Sequence, residues 1–247
     1  MEVVSPSELF SGRKLHRVLS VSGYRMVEHQ GKAATAELVD TLDEQLVLER
    51  LLDDSKPPYR PHTEALHYLL RTPFRYPPLT HGSRFGTRVM ASFFYASEDP
   101  KSCLAEVAYY RFIFLSDMET QFPTPIRSRH EMFTVRFRTH HAVDLTRLSN
   151  VKPQLTDPSD YTFTQQLGSW LMEQGTDLIR YWSARHPDGV NLAAQPSALW
   201  SKTPGQRQMW FCHTTPDEVS FAKPDGTPPA SFPLAGFLVA GTLPRPA

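Results

Sequence analysis

Three arginines lie close together in a segment that is rich in aromatic residues and turns. Arg75, Arg84 and Arg88 fall within 14 residues, and Gly82 and Gly86 flank the middle arginine. A guanidinium group presents a planar fork of donors that fits phosphate oxygens, and glycine allows turns that are closed to other residues. The segment is therefore a candidate anion site, although composition alone favours a solvated or carboxylate-paired cluster.

Three further polar side chains stand at places where chemistry is often done. Tyr95 lies in a short apolar run that predicts a strand over 93–96, Glu106 lies within a predicted helix, and Ser183 follows a predicted strand. Taken singly, each has a simpler interpretation: a core aromatic, an exposed helix glutamate and a turn serine. A partly buried carboxylate at Glu106 would need a partner or a function.

Composition excludes several classes of protein. The 247 residues include 26 Lys+Arg and 26 Asp+Glu, so the net charge is zero. This balance argues against direct nucleic-acid binding, which needs surplus cations. The two cysteines, Cys103 and Cys212, are too few for a disulfide framework or a structural zinc site and favour a reducing compartment. We see no signal peptide, and the apolar stretch 232–243 is too short to span a bilayer, so we expect a cytoplasmic protein that contacts no membrane.

The hydrophobic periodicity predicts an α+β protein. Residues 1–70 are predicted to form a helical extension that packs on the core or provides an oligomer surface, which makes a homodimer possible. Residues 71–247 are predicted to form the main domain. The predicted helices cover 35–52 and 62–70, one begins at Asp99-Pro100, and one runs from Asp157-Pro158 to Gly175; the predicted strands cover 93–96, 132–140, 178–182, 209–213 and 236–239.

Short motifs follow one another in a fixed order: Arg75-Tyr76, Gly82-Ser83-Arg84-Phe85, Phe94-Tyr95-Ala96, Leu104-Ala105-Glu106-Val107, Tyr161 with Gln165, Trp182-Ser183-Ala184-Arg185 and Gly189-Val190-Asn191-Leu192. Eleven residues separate Arg84 from Tyr95, and eleven separate Tyr95 from Glu106. This ordered set, over 71–200, resembles the RES-domain family, which is named for its Arg, Glu and Ser. One difference is Phe85, where many members have Trp; Phe keeps an aromatic face but lacks the indole donor.

The resemblance implies a fold and an activity. The fold would be a mixed sheet with flanking helices, as in ADP-ribosyltransferases, with 71–247 as the NAD-binding catalytic domain. The family consists mostly of bacterial toxins that consume NAD, with phosphate or water as the acceptor of ADP-ribose, and some transfer ADP-ribose to a protein. A helix-turn-helix antitoxin neutralises them by blocking the NAD pocket.

The resemblance also implies roles for six residues and no metal. Glu106 would stabilise the ribose cation, while Arg84 and Arg75 would hold the diphosphate or an incoming phosphate. Tyr95 would stack on nicotinamide, and Ser183 would bond the ribose or the amide. By matching position, the site would be lined by Arg75, Tyr76, Arg84, Tyr95, Glu106 and Ser183.

Two other classes of function stay open at this point. The chain could be a catalytically silent module that binds NAD without cleaving it. It could also be a metal hydrolase built on His140-His141 with His130 and Asp144. Adjacent histidines on a strand point to opposite faces, which disfavours a shared metal.

Overall fold

In the computed structural model, which describes residues 5–29, 38–78, 81–120 and 125–245, eight strands form one mixed sheet in the order β1-β2-β5-β4-β3-β6-β7-β8. The strands are β1 (Arg17–Glu28), β2 (Phe94–Ser97), β3 (Ile126–Asp144), β4 (Leu178–Trp182), β5 (Val190–Ala194), β6 (Gly205–Thr214), β7 (Glu218–Ala222) and β8 (Ala230–Pro233). The helices are α1 (Pro6–Leu9), α2 (Leu42–Ser55), α3 (Tyr68–Arg71), α4 (Pro100–Ser116), α5 (Lys152–Leu155) and α6 (Thr162–Glu173). Short 3₁₀ turns cover Thr72–Phe74, Leu145–Arg147, Ser149–Val151, Pro196–Ala198 and Leu234–Gly236.

Five of the strands close into a ring. Strand β1 pairs with β2 at Tyr24 and Ser97 and also runs antiparallel to β3 along most of its length. The pairing of β3 with β4 is parallel, and the other strand pairings are antiparallel. Every second residue of β3 from Phe133 to Phe137 joins one apolar cluster with residues from the other four strands, which places this cluster inside the ring.

Two further apolar clusters lie on the outside of the ring and attach the long helices. One contains residues of α4 together with residues of β6, β7 and β8. The other contains residues of α6 together with residues of β4 and β5. The two helices therefore flank the same sheet, and the predicted α+β class with a mixed sheet and flanking helices is confirmed.

The local signals at three element boundaries are confirmed. The Asp99 side chain accepts a hydrogen bond from the Ser102 backbone at 2.8 Å, and Pro100 occupies the first turn of α4. Gly175 ends α6 with a φ of +74°, a conformation that favours glycine. Strand β4 covers 178–182, as its pattern predicts.

Other predicted boundaries are wrong for local reasons. The helix predicted from Asp157 begins at Thr162, because the Asp157 carboxylate accepts from the backbones of Ser159 and Asp160 and forms a turn instead. The helix predicted over 62–70 is reduced to α3, and His62 has a φ of +66°, which does not fit a helix. The strand predicted over 236–239 is absent; a 3₁₀ turn ends at Gly236 there.

The N-terminal range holds a strand that was not predicted. Residues 1–70 contain α2, which begins at Leu42 rather than within 35–41 as predicted, because Thr41 caps it in an extended conformation, and which runs on to Ser55. Residues 35–37 of the predicted helix lie outside the described residues. The same range also contains β1, whose pairing with β3 ties it to the main sheet. No helix in the described ranges combines the length and apolar character needed to cross a membrane.

A buried histidine on β3 gives the fold a defined response to acid. His130 is 3% exposed, and burial lowers its pKa to about 4. The unfolded chain, with a pKa near 6.5, therefore binds this proton first, and stability falls as the pH drops from about 6.5 to about 4. We expect the His130→Leu variant to lose up to about 3 kcal/mol of this pH dependence.

Urea unfolding at about pH 7 and about pH 4 measures that difference. His140→Leu is the matched control, because His140 is exposed on the same strand. Equal acid sensitivity of the His130→Leu variant and the unmodified chain would contradict the assignment.

Candidate functional site

The carboxylate of Glu106 lies at the centre of a hydrogen-bonded cluster between α4 and the strands β4 and β5. Its Oε1 atom accepts from Ser183 Oγ at 2.7 Å and from Asn191 Nδ2 at 2.6 Å. Asn191 in turn accepts at Oδ1 from the buried Ser97 hydroxyl at 2.7 Å. Within the described ranges these hydrogen bonds all end at Oε1, which leaves Oε2 of this half-buried carboxylate to a ligand.

Ser183 uses all of its hydrogen-bonding capacity inside the protein. Its hydroxyl proton goes to Glu106, and its oxygen accepts from the backbone nitrogens of Arg185 and His186, both at 3.1 Å. A serine hydroxyl has one proton and two lone pairs. Ser183 therefore positions Glu106 and its own loop, and the predicted bond from Ser183 to the ribose or the amide would require one of these contacts to break.

The loop that follows Ser183 is also held by Ser102, which lies one helical turn before Glu106 on α4. The Ser102 hydroxyl donates to Asp99 Oδ2 at 2.5 Å and lies 2.8 Å from His186 Nδ1. Because the single hydroxyl proton goes to Asp99, the His186 nitrogen is the donor in that contact. The approach requires glycine at position 189, where a Cβ would lie 2.3 Å from Ser102 Oγ.

The phenol of Tyr95 joins the site to the segment that carries Arg84. Its hydroxyl donates to Ser83 Oγ at 2.8 Å and accepts from the Phe85 backbone at 3.2 Å. Burial raises the pKa of Tyr95 to about 12, so the phenol stays neutral at ordinary pH. The hydroxyl thus fixes the loop on both sides of Arg84, and the predicted stacking on nicotinamide stays a prediction.

Arg84 is 8% exposed and anchored by only part of its guanidinium group. Its Nη1 donates to the carbonyl oxygen of Asp157 at 2.6 Å and to that of Leu155 at 3.3 Å. The guanidinium carbon lies 4.1 Å from the centre of the Tyr161 ring. Among the described residues these hydrogen bonds come from Nη1 alone, so Nη2 and Nε remain as donors for an anion.

Three charged groups act electrostatically on the buried phenol of Tyr109. Burial raises the pKa of Tyr109 to about 12, while the positive charge of Arg185 lowers it, Glu106 raises it and Arg84 lowers it. Each of these charged groups thus acts on the same phenol. Arg84, Tyr95 and Glu106, the three predicted catalytic residues, also act on the buried Tyr181, whose pKa burial raises.

Arg185 is a second buried guanidinium that the sequence analysis did not assign to the site. Its carbon lies 3.5 Å from the centre of the Tyr109 ring, and Nη2 donates to the carbonyl oxygen of Pro158 at 2.7 Å. The same Nη2 lies 3.4 Å from the Tyr161 hydroxyl, so Tyr161 contacts both Arg84 and Arg185. The only sequence signal was its position two residues after Ser183.

Arg25 on β1 is a third cation next to Tyr95. Its Nη1 donates to the Tyr95 carbonyl oxygen at 2.7 Å, and its buried Nε has no hydrogen-bond partner in the part of the chain that the structure describes. Burial lowers the pKa of Arg25 to about 10. Arg25 lies within residues 1–70, which the sequence predicts to be an extension, so no role in the site was predicted for it.

Arg75 contacts residues other than the rest of the predicted site, and Tyr76 is largely exposed. Arg75 pairs with Asp53 of α2 at 3.0 Å and lies 4.2 Å from the centre of the Tyr59 ring. Tyr76 is 42% exposed, and its carbonyl oxygen accepts from the Ser92 hydroxyl. The contacts of Arg75 therefore anchor α2. Arg84 is held by other residues and Arg88 is exposed, so the three arginines of the predicted cluster share no contact among the described residues.

The residues of the alternative metal centre contact different partners. His130 contacts Ser128, His141 packs against His16, and Asp144 pairs with Arg180. Within the described part of the chain, no group of three or more His, Cys, Asp or Glu residues could hold a metal ion. The contacts of the described residues therefore give no support to a metal centre on His130, His140, His141 and Asp144.

Helix α6 supports the Arg84 loop through close backbone contact. A Cβ at Gly168 would lie 2.0 Å from the Phe85 carbonyl oxygen, and Gln165 Nε2 donates to the carbonyl oxygens of His81 and Ser83. Alanine normally stabilises a helix by up to about 1 kcal/mol relative to glycine. Here we expect Gly168→Ala to destabilise the chain by roughly 2 kcal/mol, because the clash is with backbone.

The free energy of unfolding in urea measures this effect. Gly236→Ala is the matched control, since a Cβ at Gly236 would meet nothing within 4 Å. A Gly168→Ala variant that is as stable as the unmodified chain would show that the close contact between α6 and the Phe85 backbone does not restrict residue 168 to glycine.

The family model of the RES domain matches residues 57–211. The crystal structure of the M. tuberculosis MbcT–MbcA toxin–antitoxin complex is similar with a TM-score of 0.45 and 13% identity, over 85% of this chain and 92% of that chain. No curated protein matches the sequence.

Proposed function

The chain belongs to the RES-domain family, and from this premise we propose that it is an enzyme that cleaves the bond between nicotinamide and ribose in NAD. Phosphate or water accepts the ADP-ribose. The observation that supports this proposal most strongly is the carboxylate of Glu106, which is fixed at Oε1 and has no hydrogen bond at Oε2 within the described ranges, together with the two buried guanidinium groups of Arg84 and Arg185.

The carboxylate matches the charge that this reaction develops. Breaking the glycosidic bond gives its electron pair to nicotinamide, which leaves neutral, and leaves positive charge on the ribose, as in glycoside hydrolysis. Because the leaving group is neutral, the reaction needs no general acid. Oε2 of Glu106 would face the ribose and stabilise the cation, and Ser183 and Asn191 prevent the carboxylate from turning away.

The guanidinium groups match the other end of the substrate. Arg84 and Arg185 flank Tyr161, and each uses only some of its donors within the protein. A pair of such forks suits the diphosphate of NAD or an incoming phosphate. In this proposal Arg185 takes the role that the sequence analysis gave to Arg75.

The proposal includes a cellular setting. The chain would act as a toxin in the cytoplasm, where NAD is available and where the buried thiols of Cys103 and Cys212 stay reduced. A helix-turn-helix antitoxin would block the NAD site.

Product masses test the reaction directly. The purified chain is incubated with NAD, with and without phosphate, and the Glu106→Gln variant serves as the blank. We expect nicotinamide together with ADP-ribose phosphate when phosphate is present, and nicotinamide together with ADP-ribose in its absence. Intact NAD would indicate a silent binding module, and ADP-ribose found on a protein would indicate transfer to a side chain; either result would overturn the proposal.

A further inference from the structure

Residues 234–245, called the C-terminal segment below, follow β8 and contact the second half of helix α4. Phe237 packs against Phe112 of α4 with 5.6 Å between the ring centres. Near the end of the segment, Arg245 pairs with Asp117, the residue that follows α4. The RES-domain match ends at residue 211. The C-terminal segment is therefore an addition to the matched domain that packs on the helix of Glu106.

Tyr109 of α4 joins the C-terminal segment to the candidate site. Its hydroxyl donates to the carbonyl oxygen of Pro244 at 2.7 Å, and its ring centre lies 6.3 Å from that of Phe237. The side chain is fully buried, and the single hydroxyl proton is used in this hydrogen bond. Breaking the bond would leave a buried donor and a buried acceptor unsatisfied, so the contact fixes the position of the phenol.

The ring of Tyr109 lies directly against the guanidinium group of Arg185. The guanidinium carbon is 3.5 Å from the ring centre, which is van der Waals contact. Among the described residues, the hydrogen bonds of this guanidinium come from Nη2 alone, to the Pro158 carbonyl oxygen and the Tyr161 hydroxyl. One bonded nitrogen leaves the group able to turn, and contact with the Tyr109 ring restricts that movement. Nη1 and Nε remain as donors for a ligand.

We propose that Tyr109 is a positioning residue, which the C-terminal segment holds in place so that it fixes Arg185 for the diphosphate of NAD. This inference rests on the proposed function, which gives Arg185 its ligand. In this account Tyr109 acts through Arg185 and does not touch NAD. A guanidinium group that is fixed before the substrate arrives loses less conformational freedom on binding, which increases affinity. Loss of the contact is therefore expected to change KM rather than kcat.

Steady-state kinetics of the Tyr109→Phe variant test the proposal. Phenylalanine keeps the ring beside Arg185 and removes only the hydroxyl that binds Pro244. We expect KM for NAD to rise about fivefold, the effect of one lost hydrogen bond, and kcat to stay the same. Tyr68→Phe is the matched control, because it makes the same change at a tyrosine that is 54% exposed on α3. This control is expected to change neither constant.

The Arg185→Met variant distinguishes positioning from a merely structural role. Methionine is unbranched and can pack on the Tyr109 ring, but it offers no donor to a phosphate. We expect Tyr109→Phe to raise KM in the unmodified chain and to leave KM unchanged in the Arg185→Met background, because a residue that acts through another has no effect once that residue is replaced. A structural role would raise KM by the same factor in both backgrounds.

The NMR signal of the Arg185 Nε–H group gives a readout that needs no turnover. The Arg185→Met variant identifies this signal by removing it. A proton above an aromatic ring is shifted upfield by the ring current, so we expect an upfield signal in the unmodified chain. We expect Tyr109→Phe to move the signal toward the position that exposed arginines share, and Tyr68→Phe to leave it in place.

Three results would overturn the proposal. The first is a KM of the Tyr109→Phe variant equal to that of Tyr68→Phe. The second is an increase in KM that persists in the Arg185→Met background, and the third is an Arg185 signal that Tyr109→Phe leaves unchanged. A chain that releases no nicotinamide would contradict the proposed function instead, and the NMR comparison would still decide whether the C-terminal segment positions Arg185.

Discussion

The Glu106→Gln variant is expected to lose at least about a hundredfold in the rate of nicotinamide release while it keeps its fold. Glutamine has the same shape and still offers an oxygen to Ser183 and Asn191, so the hydrogen bonds at Oε1 can persist. What disappears is the negative charge at Oε2 that the ribose cation requires. The measurement is the steady-state rate of nicotinamide release, together with the thermal unfolding midpoint.

Glu173→Gln provides the matched control for this change. Glu173 is an exposed glutamate at the end of α6, and its replacement removes the same charge away from the site. We expect it to keep the full rate. A Glu106→Gln variant with the same rate as Glu173→Gln would show that the carboxylate of residue 106 takes no part in the reaction.

The Arg84→Lys variant is expected to lose roughly a hundredfold in kcat/KM for NAD. Lysine keeps the positive charge but lacks the planar fork, so it cannot hold the carbonyl oxygen of Asp157 and an anion at the same time. The loss of the carbonyl contacts also costs about 1–3 kcal/mol of stability. Turnover is therefore measured at a temperature well below the unfolding midpoint of the variant.

Arg88→Lys is the matched control, because it makes the same replacement of a guanidinium by an ammonium group at an exposed arginine. Arg88 lies four residues further along the same loop and is exposed. We expect this control to change neither kcat/KM nor the unfolding midpoint. Equal activity of the Arg84→Lys and Arg88→Lys variants would show that the buried fork does not hold the substrate.

The sequence was sufficient for those site residues whose partners are close in the chain or follow a short motif. Arg84, Tyr95 and Glu106 carry local signals: a glycine-flanked loop, a short apolar strand, and a helix start at Asp99-Pro100. All three residues act electrostatically on the buried Tyr181, whose pKa burial raises. Their predicted chemical roles remain predictions.

The residues that were missed acquire their places through long-range packing. Arg25 reaches Tyr95 only because β1 closes the ring between β2 and β3, and that closure joins segments about 70 residues apart. Arg185 is buried against Tyr109, a residue of α4. Neither contact has a signature in local periodicity, which reports one element at a time.

Arg75 shows the opposite error. Its neighbours in sequence suggested an anion site, but an ion pair with Asp53 of α2 satisfies it. The clustering of arginines in sequence did not reveal which of them would meet a carboxylate, because the acidic partner lies 22 positions earlier in the chain. The match of Arg75-Tyr76 to the motif order was therefore not enough to place both side chains at the site.

A crystal structure of the Glu106→Gln variant with NAD tests the central claim most directly, because this variant should bind NAD and leave it intact. We expect the nicotinamide ribose within hydrogen-bond distance of the residue 106 side chain and the diphosphate against Arg84 and Arg185. NAD bound with its ribose away from residue 106, or on another surface of the chain, would contradict the account.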